Sequence, residues 1–286
     1  MFPTKTILFI AVVSLLITFS FAAVDTFIYG GCSQAKYFPG SPYESNVNSI
    51  LTSFVNSASL YTYNNFTLDG ISGDSSVYGL YQCRGDLSSG SGDCARCVAR
   101  AVSRLGSLCV GACGGALQLE GCFVKYDNST FLGVEDKTVV VRRCGPPVGY
   151  NSDELTRRDA VVGYLTASSG GSYRVGVSGE VQGVAQCTGD LSVSECQDCL
   201  MESIGRLKSD CGGAAWGDVY LAKCYARYSA RGSYSRANGS GGNHNSNDDE
   251  IQKTLAIIVG LIAGVTLLVV FLSFMAKSCE RGKGGK

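Results

Sequence analysis

The stretch Val77-Tyr-Gly-Leu-Tyr-Gln-Cys83-Arg-Gly-Asp-Leu87 decides the fold, because it occurs twice. It returns as Val181-Gln-Gly-Val-Ala-Gln-Cys187-Thr-Gly-Asp-Leu191, and each copy runs on into a C-x2-C pair, Cys94/Cys97 and Cys196/Cys199. From there the copies stay in step: 94 to 196, 97 to 199, 109 to 211 and 122 to 224 are all offsets of 102. Four cysteines in one register mark a duplicated module. The first copy has C-x10-C where the second has C-x8-C, a loop insertion that a folded unit tolerates cheaply.

Working outward, the 286 residues suit about two domains. Charge balances at 24 basic against 24 acidic residues, so there is no polycationic surface and nucleic acid is not expected as a partner. Lys5 precedes an apolar run from Ile7 to Leu16 that continues to Phe21 and exits through Ala22 and Ala23. That pattern predicts a signal peptide over residues 1–23. A secreted chain meets oxidant, so its 14 cysteines should form disulfides.

Towards the other end, Arg231–Glu250 is rich in Ser, Gly and Asn. It cannot bury a core, so residues 231–253 are expected to form a flexible stalk. Thr254–Ala276 is 23 residues without a charge, roughly 35 Å as a helix and enough to cross a bilayer. Asp248, Asp249 and Glu250 precede it, and Lys277, Arg281, Lys283 and Lys286 follow. The positive-inside rule puts the tail, 277–286, in the cytosol. The expected topology is single-pass type I, with both modules outside. Within the span, Gly260 and Gly264 have the small-xxx-small spacing that lets helices associate. Cys279, beside the membrane in the tail, is a candidate for lipidation.

Each module reads as α+β. In the first, expected over 25–143, Ser41-Pro42-Tyr43-Glu44 resembles a capping box with Pro at the first helical position, opening a helix over 42–59. Residues 77–82 read as a strand. Asp93 is expected to cap a second helix that carries Cys94, Cys97, Val98, Ala101, Val102, Leu105 and Leu108 on one face. Leu117–Tyr126, Thr130–Val134 and Thr138–Arg142 read as strands, with a turn at Asp127-Asn128. Cys144-Gly-Pro-Pro147 marks the expected boundary. The second module, 144–230, repeats the plan: a helix containing Leu155, Val161, Val162 and Leu165, strands at 173–177 and 181–186, a helix over 195–208, and strands around 219–228.

Catalytic patterns are absent. The single His, His244, lies in the stalk, which removes ordinary Ser-His-Asp and Cys-His systems. The acidic residues are scattered and no phosphate-cradling loop is present, so neither enzyme activity nor a cofactor is expected. The C-x2-C pairs invite zinc, but the secretory route and the lack of nearby His favour disulfides, and no metal is expected. Six cysteines allow fifteen pairings, and spacing alone does not choose among them. Cys113 has no counterpart in the second module: a free thiol, an intermolecular link and an alternative partner for Cys32 all fit. Trp216, the only Trp, could stack on a sugar or partner, though packing against the sheet is the expected role. Sequons stand at Asn65, Asn128 and Asn238.

The pattern C-x8-C-x2-C followed by C-x11-C-x12-C resembles the plant cysteine-rich ginkbilobin-homologous, or stress-antifungal, domain. The second module matches it fully and the first departs only in its C-x10-C spacing. The resemblance implies two helices against a curved antiparallel sheet, with Cys32–Cys109, Cys83–Cys94 and Cys97–Cys122 bridged in the first module. In the second it implies Cys144–Cys211, Cys187–Cys196 and Cys199–Cys224. Signal peptide, two such modules, stalk, span and short tail together resemble the plasmodesmata-located proteins of plants. That resemblance rests on stretches such as Tyr81-Gln-Cys-Arg-Gly-Asp-Leu87, Cys122-Phe-Val-Lys-Tyr-Asp127 and Lys223-Cys-Tyr-Ala-Arg-Tyr228. It implies residence in the plasma membrane at plasmodesmata, control of cell-to-cell traffic, callose deposition and defence signalling. It also implies homo- or hetero-oligomers with family members, and receptor-like kinases, callose synthase complexes or viral movement proteins as partners. The alternative is a membrane-anchored mannose-type antifungal lectin facing the wall. The ginkbilobin prototype uses an Asn directly after the first cysteine, where this chain has Ser33 and Gly145.

Overall fold

The computed structural model describes residues 24–70, 75–149, 152–167 and 171–230. The expected signal peptide, stalk, span and tail, with Asn238, Gly260, Gly264 and Cys279, lie outside the described residues. Among the described residues, no helix is long and apolar enough to cross a membrane.

In chain order the elements are β1 (Phe27–Cys32), α1 (Pro42–Ser57), β2 (Tyr63–Leu68), β3 (Val77–Cys83), α2 (Asp93–Leu108), β4 (Gly114–Leu119) and β5 (Cys122–Asp127). The plan then repeats as β6 (Val139–Cys144), α3 (Ser152–Ala167), β7 (Tyr173–Ser178), β8 (Val181–Cys187), α4 (Val193–Cys211), β9 (Trp216–Leu221) and β10 (Cys224–Ala230). Two antiparallel five-stranded sheets result, ordered β1-β4-β5-β3-β2 and β6-β9-β10-β8-β7. Substituting each strand by the one five later turns the first order into the second, so the sequence repeat is a repeat of topology. Each sheet carries its two helices on the face that holds the core, giving α+β modules with three disulfides each.

Local chemistry sets the helix ends. Ser41 Oγ accepts the Glu44 N–H at 3.3 Å, and Pro42 fills the first helical position. Glu44 reaches back to the Gly40 N–H at 2.6 Å rather than to that of Ser41, so the capping box is shifted by one residue. Val47, Ile50 and Phe54 then fall on the buried stripe. Asp93 is not the cap of α2. Gly92, with φ of 74°, takes that position, and Asp93 is the first helical residue, its carboxylate paired with Arg96 one turn on. Helix α4 starts two residues earlier than the sequence suggests because Ser192 and Glu195 close a full capping box ahead of it. It runs on to Cys211, since Leu207 and Cys211 continue the buried stripe.

Three strand expectations change. Leu117–Tyr126 is two strands, β4 and β5, folded back at Glu120-Gly121. Thr130–Val134 is not a strand; Phe131 instead packs into a satellite cluster with Leu80 and Phe123. The strand β6 belongs to the second sheet, where it pairs with β9. The first sheet therefore ends at Asp127, residues 128–138 form the link, and the expected division at 143/144 falls inside β6. The sequence supplies a strand there, but which sheet it joins is a matter of tertiary pairing that local pattern does not encode.

Candidate functional site

The cysteines fix the helices to their sheets. The structure pairs Cys32 with Cys109, Cys83 with Cys94 and Cys97 with Cys122, then Cys144 with Cys211, Cys187 with Cys196 and Cys199 with Cys224. The Cα–Cα separations run from 5.2 to 6.0 Å, the ordinary range. Helix α2 is thereby held at its first turn to β3 and β5 and at its end to β1. Cys113 is a free, half-buried thiol. Burial and then Asp127 push its pKa up, which lowers its thiolate fraction and its reactivity.

The repeated Gln-Cys-x-Gly-Asp turn joins the two modules. Gln82 Oε1 accepts the Gly189 N–H at 3.0 Å, and Gln186 Oε1 accepts the Gly85 N–H at 3.2 Å. Gln186 Nε2 also donates to the Cys83 carbonyl at 3.0 Å. Each turn glycine lies under a tyrosine of the other module: a Cβ on Gly85 would sit 2.3 Å from the Tyr173 ring, and one on Gly189 2.9 Å from the Tyr63 ring. Tyr63 opens β2 and Tyr173 opens β7, so the contact is reciprocal residue for residue. Glycine is required here by close approach, not by backbone conformation.

Charge reinforces the joint. Glu120 Oε1 accepts from Arg227 Nη1 at 2.6 Å and from Arg84 Nη1 at 3.1 Å, and Arg227 Nε reaches Asp218 Oδ1 at 3.3 Å. Burial opposes the Arg227 charge, but Tyr220, Asp218 and Glu120 hold its pKa above the usual arginine value. Tyr29 meets Tyr220 edge-on at 5.8 Å. The link is fastened too. Lys223 donates to Asp190 and, at 2.8 Å, to the Phe131 carbonyl, and its ammonium lies 4.9 Å from the Phe131 ring centre. Asp190 Oδ2 accepts the Gly133 N–H at 2.9 Å. Lys223 and Asp190 side chains are 2% and 3% exposed. Burial would raise the Asp190 carboxyl, but hydrogen bonds from Lys223, Thr188 and the Gly133 N–H bring it below the usual range.

Beside this joint the first module carries an open groove of about 370 Å³, floored by Gly114 and Gly115 and walled by Tyr29, Ser33, Lys125 and Asp127. Burial and then the nearby Lys223 charge lower the Lys125 pKa, and its ammonium lies 4.3 Å from the Phe131 ring centre. The second module is built differently at the matching place. Trp216, 102 residues after Gly114, packs so closely over Gly145 that a Cβ there would lie 2.4 Å from the indole nitrogen. Of the sequons, Asn65 is exposed on the edge strand β2, where its Nδ2 donates to the Tyr63 hydroxyl at 2.8 Å, and Asn128 is exposed in the turn after β5. No group of His, Cys, Asp and Glu among the described residues could hold a metal ion.

The joint residues were not singled out from the sequence. The signal was present: Gln and Gly recur on either side of Cys83 and Cys187, although a disulfide needs neither. Glu120, Arg227 and Lys223 carry no such signal, because each meets its partner across a long stretch of chain.

A tandem pair of cysteine-rich modules, three disulfides in each and their turns interlocked, defines the class of fold. The family profile described as salt stress response/antifungal matches residues 31–129 and 150–231. The chain is 89% identical over 288 aligned residues, covering all of both chains, to plasmodesmata-located protein 6 of Arabidopsis thaliana. It is 57% identical to plasmodesmata-located protein 7 of the same plant, over 91% of this chain and 86% of that one. The crystal structure of the tandem DUF26 ectodomain from the Arabidopsis thaliana cysteine-rich receptor-like protein PDLP5 superposes with a TM-score of 0.68 at 52% identity, covering 72% of this chain and all of that one. The chain belongs to the plasmodesmata-located protein family. Like its relatives it is receptor-like and non-enzymatic.

Proposed function

We propose that this chain is a receptor-like membrane protein of plasmodesmata that modulates cell-to-cell trafficking by binding other proteins, with callose deposition and defence signalling as its outputs. The observation that carries the reading is the reciprocal joint. It makes the two modules one recognition body, while full-length similarity to a plasmodesmata-located protein supports the site of action. Receptor-like kinases, callose synthase complexes and viral movement proteins are the partner classes, and association with family members would use the Gly260/Gly264 face. The glycans would sit at Asn65, Asn128 and Asn238. The topology is single-pass, with 254–276 as the span.

The test is movement of a diffusible fluorescent protein between leaf cells, with callose staining in the same tissue. Raised expression of the intact chain should restrict movement and increase stain. A Gly85→Val, Gly189→Val chain, matched in abundance, should do neither. Unchanged movement and stain with the intact chain refute the reading. Exchanging 254–276 for an unrelated span should disperse a fluorescent fusion over the plasma membrane; retained wall-crossing puncta would show that the span does not encode localisation.

The groove beside Asp127 supports the lectin reading as a second candidate. A glycan array with the ectodomain discriminates: specific mannose binding, lost in Asp127→Ala, would favour it.

A further inference from the structure

Arg174 on β7 is 3% exposed, yet no carboxylate among the described residues pairs with it. Its Nη1 donates to the Leu165 carbonyl at 2.9 Å, its Nε to the Gly171 carbonyl at 3.5 Å, and its Nη2 to Gln197 Oε1. All three acceptors are neutral, and three acceptors do not satisfy the five N–H groups of a guanidinium. The tie from the end of α3 to the first turns of α4 accounts for where the side chain lies. It does not account for the charge, because a buried cation facing only neutral groups is uncompensated. Burial, with no anionic neighbour opposing it, holds the Arg174 pKa below the usual arginine value.

The guanidinium lines a cleft of about 150 Å³ whose other walls include Ser172, Thr188, Gly189, Gln197 and the Cys187–Cys196 bridge. Glu195, in the first turn of α4, is spent on its capping box: it accepts the Ser192 N–H at 2.9 Å and the Ser192 hydroxyl at 2.5 Å. The first module has no such charge. Its β2 begins Tyr63-Asn64 where β7 begins Tyr173-Arg174, and Asn64 simply donates to Ser57 Oγ at 2.9 Å. The cation is thus an addition peculiar to the second module.

We propose that this cleft binds a small oxyanion, a carboxylate, with Arg174 as its counter-charge and Gln197 as the group that fixes the guanidinium. A planar guanidinium with N–H groups to spare matches a planar carboxylate. The cleft is smaller than the roughly 300–1,000 Å³ of ordinary small-molecule sites, so it takes one carboxylate-bearing group and not an oligosaccharide chain. That group comes either from an acidic sugar or from a free small carboxylate.

The test is a calorimetric titration of the full chain in detergent with D-galacturonate, acetate and neutral methyl galactoside. Both carboxylates should bind and the neutral sugar should not. Galacturonate binding more tightly than acetate identifies an acidic sugar, and equal affinity identifies a free carboxylate; either supports the site. Arg174→Gln should weaken carboxylate binding by roughly tenfold or more, the scale of one lost charge-assisted contact. Gln197→Glu places a carboxylate against the guanidinium, so it should abolish binding while raising the melting temperature. That second variant keeps the test decisive if the first folds poorly. No carboxylate binding at millimolar concentration, or binding unchanged in Gln197→Glu, overturns the proposal.

Discussion

Removing the ammonium of Lys223 should destabilise this ectodomain more than its single position in the chain suggests. In Lys223→Met, Asp190 stays 3% exposed and keeps the Gly133 N–H, but loses its counter-charge. Breaking a buried pair from one side costs about 3–5 kcal/mol. The lost donor to the Phe131 carbonyl adds about 1 kcal/mol. For a body of this size that is a melting-point drop of about 10 °C or more. Asp190→Leu should cost a similar amount by stranding the ammonium. The double variant should recover most of the loss, since an apolar pair of similar volume can replace a buried ion pair at little cost. The assay is urea unfolding of the four proteins, and the coupling should reach about 2 kcal/mol. Single variants within about 1 kcal/mol of wild type, or a double variant equal to the sum of the singles, would refute the view that this pair fastens the link. The pair also sets a pH dependence. The folded Asp190 carboxyl lies below its ordinary value, so its contribution is complete above the ordinary carboxylate range and disappears as pH falls through the folded value. Wild type should therefore lose stability below about pH 4, and the double variant should lose less over the same interval.

Other predictions follow from the joint and the bridges. Gly85→Val should cost about 1–3 kcal/mol by overpacking against Tyr173, and Tyr173→Ala should relieve part of that in a thermal melt. Glu120→Gln should weaken the grip on Arg227 and speed proteolytic cutting within 128–138, as read by mass spectrometry. Converting Cys199 and Cys224 together to Ser opens a link spanning 25 residues, about 3.5 kcal/mol in the chain-entropy account. Cys113→Ser, a swap of similar size at a half-buried site with no bridge, should change stability by less than about 1 kcal/mol. A large loss there would reveal a covalent partner.

The module plan was legible because cysteine spacing and apolar periodicity are local properties read along the chain. The buried faces of α1 and α2 follow directly from Val47, Ile50 and Phe54 and from Cys94, Cys97 and Ala101. Strand membership was not legible in this way. Val139–Cys144 opens with three β-branched residues, as a strand of either sheet could, and only its pairing with β9 shows that it opens the second sheet. The groove is another case. Gly114 and Trp216 occupy the same register, and the size difference is visible in the sequence, but that it opens one module and fills the other depends on how Gly145 approaches the indole. Arg174 and Lys223 look like ordinary surface cations until burial is known, because charge in a sequence carries no information about its partner.

The crossed turns have a consequence for how such chains are made. A half-molecule ending after β5 would leave Tyr29, Phe123 and Glu120 without the surfaces that cover them, and would be prone to seize the corresponding half of a neighbour. In the complete chain the eleven residues 128–138 keep the proper mate at an effective concentration on the order of millimolar, and Lys223 and Asp190 stitch that tether down. Self-completion, as opposed to trading halves between molecules, thus depends on a short strap and one hidden ion pair.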